Sequence, residues 1–337
     1  MLGFTSCTTD VFRGRQFFGL SENFAKGKFL NEEMPAPRKK RSFKDHLSFG
    51  IEVLRRGGWP KYFHTQEKQI LRVREEGLRV YFINHATCLI QMEKYNILTD
   101  PVWSNRVSPF TTVGPKRVTN PGIKFEDLPP IDIVLLSHDH YDHLDIETLL
   151  KLNKQFSPKF FVGLGVEKLL KKHGITKVYS MDWWDCIAVE NDLCVNFVPS
   201  QHFSGRGVFD RNSTLWGGFV VTGRNSTMYF AGDTGYSKKQ FSDISQKFSN
   251  IDVAIMPIGA YDPVEYMQYV HMNPYEAVLA HQILKPKKSI PIHYATFRLT
   301  LEKYEDPAKE LKKSLDLLKI SRDQFPILNF GDSILIK

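Results

Sequence analysis

The stretch Ser137-His138-Asp139-His140-Tyr141-Asp142-His143-Leu144-Asp145 decides how this chain is read. It sets three histidines and two interior carboxylates directly behind the apolar run Ile131-Asp132-Ile133-Val134-Leu135-Leu136. That run reads as a buried strand, and Asp145-Ile146-Glu147-Thr148-Leu149-Leu150 reads as the start of a helix. A strand that empties into imidazoles and carboxylates makes a poor core. It makes a good metal site, because neutral imidazole and carboxylate are ligands that zinc accepts. A solvated polar turn explains one histidine there; it does not explain HxHxDH spacing at a strand end.

Three other apolar runs end the same way. Val195-Asn196-Phe197-Val198-Pro199-Ser200-Gln201 delivers His202, Met228-Tyr229-Phe230-Ala231-Gly232 delivers Asp233, and Ser289-Ile290-Pro291-Ile292 delivers His293. Any one of them reads as a hydrogen-bonded structural residue. Four such strand ends in one chain read as one site.

Around these ends the elements alternate. Short β runs lie at Leu78-Arg79-Val80-Tyr81-Phe82-Ile83, Thr87-Cys88-Leu89-Ile90-Gln91 and Tyr95-Asn96-Ile97-Leu98-Thr99. Helical stretches are expected near 145–155 and 165–173, with Phe160-Phe161-Val162 as a strand between them. A second set of strands runs through 186–198, 215–221, 228–230 and 251–256, then a helix from Asn273-Pro274 and a last one from Asp306 to about Leu318. Residues 325–336 are expected to end the chain in β structure. Strands then helix, repeated twice, fit an α/β fold: an αββα sandwich of two mixed sheets flanked by helices.

Upstream, residues 1–42 read as an extended arm lying over the single domain expected at 43–337. Phe43, Leu47, Ile51 and Leu54 predict one apolar face of a helix ending at Gly57-Gly58, docked on the core. Arg38-Lys39-Lys40-Arg41 reads as a solvated linker, or as a basic run attracted to anionic lipid. Cys7 follows Leu2-Gly3-Phe4-Thr5-Ser6, similar to the end of a bacterial lipoprotein signal but lacking a basic and apolar lead. A bacterial protein, cytoplasmic or peripheral on a membrane, is expected; a lipoprotein or periplasmic one follows if the true start lies upstream. Cys88, Cys186 and Cys194 are expected as buried thiols without a disulfide framework. The 337 residues carry a net charge of +8, which favours anionic partners without choosing among them.

The order HxHxDH, His, Asp, His resembles the metallo-β-lactamase fold superfamily. Further stretches resemble its N-acylphosphatidylethanolamine-hydrolysing phospholipase D branch: Ile97-Leu98-Thr99-Asp100-Pro101, Gln201-His202-Phe203-Ser204-Gly205-Arg206-Gly207, Leu215-Trp216-Gly217-Gly218, Ala231-Gly232-Asp233-Thr234-Gly235-Tyr236, Pro257-Ile258-Gly259-Ala260-Tyr261 and His271-Met272-Asn273-Pro274. The likeness spans about residue 20 to about 300. His293-Tyr294-Ala295-Thr296-Phe297 and Tyr275 depart from the branch pattern and leave the substrate open.

The resemblance implies two Zn2+ ions, with iron or manganese equally tolerated by such ligands. It gives His138, His140 and His202 to one ion, Asp142, His143 and His293 to the other, and Asp233 to both. Asp142 also enters the catalytic set. Asp100 and His85 are expected to orient ligand imidazoles. His271 is the first candidate general acid and Tyr141 the second. The implied reaction cleaves a phospholipid to phosphatidic acid and an N-acylethanolamine, with contact to an anionic membrane surface and an open oligomeric state, homodimer included. Trp183-Trp184, Phe203 and Tyr261 are candidates for an acyl groove.

Three branches fit less well. A redox branch wants Glu at the His140 position, and a common dizinc β-lactamase wants Cys at Asp233. Nucleolytic branches insert an RNA-reading arm or cap, for which gaps of about sixty residues leave little room, so no nucleic-acid partner is expected. A lactonase or phosphodiesterase acting on a small sugar-phosphate-like substrate, and a metal-dependent lipid-binding protein without turnover, remain as alternatives.

Overall fold

The computed structural model describes residues 21–33, 43–70, 77–190 and 193–337. It begins with a small hairpin, β1 (Phe24–Ala25) and β2 (Lys28–Phe29), then helix α1 (Phe43–Arg55). The first half continues with β3 (Leu78–Asn84), β4 (Thr87–Met92), β5 (Tyr95–Thr99), β6 (Ile133–Leu136), α2 (Ile146–Phe156), β7 (Lys159–Gly163), α3 (Val166–Lys172) and β8 (Val178–Met181). The second half holds β9 (Cys186–Val189), β10 (Leu193–Val198), β11 (Gly218–Gly223), β12 (Thr227–Phe230), α4 (Lys238–Lys247), β13 (Val253–Pro257), the single turn α5 (Val264–Met267), α6 (Pro274–Leu284), β14 (Lys288–Ile292), α7 (Asp306–Leu318) and β15 (Ser333–Ile336).

The strands build two mixed sheets, in the orders β15-β3-β4-β5-β6-β7-β8 and β14-β13-β12-β11-β10-β9. In each, antiparallel hairpins give way to parallel strands: β5 through β8 in the first sheet, β12 through β14 in the second. Parallel strands need crossover connections; helices supply those that follow β6, β7, β12 and β13 and cover the outer faces, while residues 100–132 cross from β5 to β6 without an α-helix. Leu149 and Leu152 of α2 and Leu170 of α3 join Val134, Leu136, Phe160 and Val162 in one outer layer. Between the sheets lies the larger core, where Phe82, Ile90 and Phe161 share a cluster with Phe197, Phe219 and Phe230. The expected αββα sandwich is therefore present.

Local chemistry sets the helix ends. Asp145 caps α2 through Thr148 N, and Asn273 with Glu276 forms a reciprocal capping box on α6 behind Pro274. Residues 325–336 hold only the short strand β15 rather than a continuous β segment.

Three expectations are corrected. Cys186 and Cys194 form a disulfide across the β9–β10 hairpin, with Cα atoms 6.3 Å apart; only Cys88 is a buried free thiol among the described residues. Their eight-residue separation carries no motif, but the register places Cys186 opposite Asn196, diagonal to Cys194. On α1, Ile51 is 41% exposed while Val53 is buried; the side chains of Phe43, Leu47 and Leu54 lie outside the described set. The described part of the N-terminal arm is no plain extended strip: its hairpin sends Phe29 into the core. Cys7 and Arg38–Arg41 lie outside the described residues.

Candidate metal centre

The site forms where the parallel ends of both sheets meet. Asp100 follows β5, residues 137–143 follow β6, Asp233 follows β12 and His293 follows β14. Gly217 N donates to Ser137 O at 2.9 Å, stitching one sheet's loop to the other. Gly232, at φ +61°, makes the close approach possible: a Cβ there would lie 2.5 Å from that of Ser137. His85, Asp100 and His293 also hold left-handed φ values of 43°, 32° and 64°. Side chains with a Cβ adopt that region at a cost, and such strain concentrates at functional sites.

Two groups of donors result. In the first, His138 Nε2 lies 2.8 Å from His140 Nδ1, which lies 3.3 Å from His202 Nε2. In the second, Asp142 Oδ2 lies 3.5 Å from His143 Nε2 and 3.4 Å from His293 Nε2. Asp233 Oδ2 stands between them, 3.1 Å from both His143 Nε2 and His293 Nε2, 3.9 Å from His138 Nε2 and 3.8 Å from His202 Nε2. Donors at ~2.1 Å around one tetrahedral ion stand about 3.4 Å from each other, so these spacings suit shared cations. Buried polar atoms without hydrogen-bond partners point to the same place: His143 Nε2, His293 Nε2 and Asp233 Oδ1.

The electrostatics agree. Burial opposes charge on His143, yet the carboxylates of Asp233, Asp142 and Asp100 push its pKa well above the ordinary value. Against the same burial, Asp233 and the bond to Asp142 raise His293 to about 9. Asp142 and Asp233, although buried, are held well below the usual carboxylate range by the imidazoles around them. This end of the site therefore favours concentrated positive charge. At the other end, burial and neighbouring imidazoles push His138 far down, and burial does the same to His202. Neutral rings are the form that binds metal.

A layer of hydrogen bonds aims these rings. The Asp100 carboxylate accepts from His143 Nδ1 at 2.6 Å, from Ser137 N at 2.8 Å and from Ser137 Oγ at 2.6 Å. With its own proton given to Asp100, Ser137 Oγ accepts from His138 Nδ1 at 2.9 Å. His202 Nδ1 donates to Val270 O at 2.8 Å. Each bond places the proton on Nδ1 and leaves Nε2 facing the cluster. Asp100 thus holds an imidazole of the cluster through its far nitrogen. His85 does not: its Nε2 meets the Asp142 carboxylate at 3.1 Å, and its ring lies against that of His293 at 4.2 Å.

The remaining expected residues separate. His271 is brought in, its Nδ1 3.8 Å from Asp233 Oδ2 and without a hydrogen-bond partner; burial lowers its pKa to about 4. Tyr141 is turned away, its hydroxyl donating to Arg206 O at 3.2 Å. Phe203 lies at the site, 4.5 Å from the His140 ring and 4.8 Å from that of His202. Trp183 is core, with its indole bonded to Trp216 O at 2.7 Å, and Trp184 reaches Glu32 at 3.3 Å instead of an acyl groove. Tyr261 and Tyr275 line a shallow acidic cavity with Asp262, Asp306 and Glu310. Tyr294 points into the core, stacked on Phe82.

Three contributors carry no signal of their own in the sequence. Ser137 links Asp100 to His138 only once the fold is formed. Asp139 ties the metal loop to residues 205–214 by accepting from Gly205 N at 2.7 Å and Thr214 Oγ1 at 2.8 Å. Asn31, beside the N-terminal hairpin, donates to His202 O at 3.0 Å and accepts from His202 N at 3.1 Å. No spacing signal connects Asn31 to a residue so far along the chain.

The family model for a beta-lactamase superfamily domain matches residues 95–294. The N-acyl-phosphatidylethanolamine-hydrolyzing phospholipase D 1 of Caenorhabditis elegans is 38% identical over 271 residues, covering 77% of this chain and 76% of that protein. The mitochondrial N-acyl-phosphatidylethanolamine-hydrolyzing phospholipase D of Saccharomyces cerevisiae is 34% identical over 221 residues, 64% of this chain and 47% of its own length. Among solved structures, a metallo hydrolase from Ignicoccus hospitalis superposes with a TM-score of 0.57 at 20% identity, covering 77% of this chain and 98% of that one. Two mixed sheets meeting at buried His and Asp clusters, and these matches, have one reading: the chain is a metal-dependent hydrolase of the metallo-β-lactamase superfamily.

Proposed function

We propose that the protein is a dizinc phosphodiesterase of the phospholipase D type, cleaving an N-acylphosphatidylethanolamine to phosphatidic acid and an N-acylethanolamine. The observation that carries this reading is the relationship to the nematode enzyme, which extends across most of both chains, together with the two clusters of donors that this chain buries. The donor set supports two ions rather than one. His138, His140 and His202 would hold the first, Asp142, His143 and His293 the second, and Asp233 both. Bound there, the metals would activate a water and polarise a phosphoryl oxygen.

The chain's own groups do the rest. Asp100, Ser137 and Val270 O fix ring tautomers before substrate arrives, so no reorganisation is needed at the moment of reaction. Asp142 carries two duties, facing the second cluster while accepting from His85. His271, kept neutral by burial, is assigned to hydrogen-bond the departing head-group oxygen rather than to protonate it, because its unpaired Nδ1 lies beside the shared carboxylate. Tyr141 is not, since its hydroxyl is committed to Arg206 O. Phe203, against two of the rings, supports an apolar wall for an acyl chain.

The test is product release from N-acylphosphatidylethanolamine in mixed micelles, by protein of measured metal content, beside Asp233→Ala. Wild type is expected to release both products, and the variant to lose at least about a hundredfold in rate and part of its metal. Full activity in the variant at matched metal content would remove Asp233 from the shared position. Hydrolysis of a generic phosphodiester without phospholipid cleavage would keep the metal centre and move the substrate to small phosphoesters.

A further inference from the structure

Access to the centre is one-sided. The side chains of His138, His143, His202, Asp233 and His293 are at most 2% exposed, whereas that of Asp142 is 14% exposed, and His140 and Tyr141 beside it are half-buried. The site therefore opens along His140–Asp142. Tyr141 lies at that opening and touches two loops. Its ring carries the Arg206 guanidinium at 3.8 Å on one side, and it packs with Val102, Val107 and Phe297 on the other.

Both loops raise apolar side chains into solvent. Val208 and Phe209 are 87% and 93% exposed; Phe110 and Val113 are 64% and 65% exposed. These tips are built, not slack. Asp210 accepts from Gly207 N at 2.8 Å and from Arg206 N, closing the turn beneath Phe209, while Lys28 Nζ braces Phe209 O at 3.2 Å. In the other loop Arg106 pairs with Lys116 across its neck and donates to Gly114 O at 2.6 Å. Of the cations in that loop, Arg106 and Lys116 stand at the surface of the neck, whereas Arg117 is buried and Lys124 pairs with Glu67 at 2.9 Å; residues 101–124 hold no Asp or Glu.

We propose that the two tips, Phe110–Val113 and Val208–Phe209, are a docking rim that seats the mouth of the metal centre on an anionic lipid bilayer. Protruding aromatic and aliphatic tips gain by entering the acyl boundary, and the surface cations Arg106 and Lys116 behind them gain from anionic head groups. The net charge of +8 adds the same attraction at longer range. A bilayer suits isolated points on two rigid loops better than a partner protein does, because specific protein interfaces rest on a continuous complementary patch. The inference deepens the phospholipid reading above and rests on it: a head group must come to a centre whose ligands are buried.

The test replaces Phe110 and Phe209 together by serine, in the full chain with its metal. Their exposure leaves the fold intact, which an unchanged Tm verifies. Wild type and variant are sedimented with phosphatidylcholine vesicles carrying phosphatidylglycerol, and both are assayed on a soluble aryl phosphodiester. Wild type is expected to bind, the variant to partition about tenfold less, and hydrolysis of the soluble diester to stay the same. As a second reading, Phe209→Trp is expected to gain fluorescence that brominated acyl chains quench. Equal partitioning, a wild type that does not sediment, or absence of quenching overturns the rim. So does a variant that binds vesicles normally but changes from dimer to monomer, which gives the tips to a second copy. Vesicle binding that depends on the tips supports the rim even where no phosphatidic acid is released, an outcome that sinks only the phospholipase reading.

Discussion

At the scale of single residues, the centre depends on side chains held where they are costly to hold. Asp100 is fully buried, and burial raises its pKa, yet it gathers three donors and hands His143 and His138 their tautomers. Its cost is met by complete pairing, as a buried carboxylate requires. His281 is the contrasting case, a buried histidine far from the metal loop in sequence, bonded through Nδ1 to Ser289 Oγ at 2.8 Å and lying against Phe325. Burial lowers its pKa to about 4. Below the ordinary value near 6.5 the unfolded chain takes up a proton that the folded one refuses until about 4, so His281 contributes stability above that window and loses it as pH falls through it. The stability lost on acidification through that window is on the order of 3 kcal/mol. His281→Gln should therefore flatten the fall in Tm between pH 6.5 and pH 4.5 relative to wild type; parallel curves for the two proteins would deny His281 this role.

Among elements, the N-terminal hairpin carries the least expected duty. Asn31 grips both backbone polar groups of His202, its Oδ1 also accepts from Trp216 Nε1 at 3.0 Å, and Gln201 reaches Glu33 O at 2.9 Å. The loop that presents one ligand is thus clamped from outside the sandwich. Asn31→Ala should weaken the metal bound near His202 about ten- to hundredfold in a competitive chelator titration, the loss typical when a ligand's support is removed. Unchanged affinity would reduce Asn31 to a surface contact. Much of the element plan was readable beforehand, because strand ends that stop at His or Asp are local signals. HxHxDH puts four donors in one loop, and His202, Asp233 and His293 each follow an apolar run. The Asn31 clamp, the Ser137 relay and the Cys186–Cys194 bond were not readable, since each is created by register or by sheets meeting. Ile51 shows the converse: helical spacing assigned it a buried face that the fold leaves in solvent.

For the whole molecule, metal and fold should be linked. The second cluster brings Asp100, Asp142 and Asp233 together around His143, a concentration of charge that a cation relieves. An ion at a hundredfold excess over its Kd adds about 2.7 kcal/mol per site. Calorimetry is expected to show Tm falling by several degrees on chelation and recovering with zinc in wild type, with little recovery in Asp233→Ala. A Tm indifferent to chelator would argue that the clusters are stable without metal. Strands β3, β4 and β15 all lie outside residues 95–294, as does Asn31. A fragment trimmed to those recognisable borders would turn β5 into a naked sheet edge, prone to pair with its neighbours and aggregate, and would release His202 from its outer brace. The smallest piece that folds and binds metal is accordingly larger than the piece by which the family is recognised.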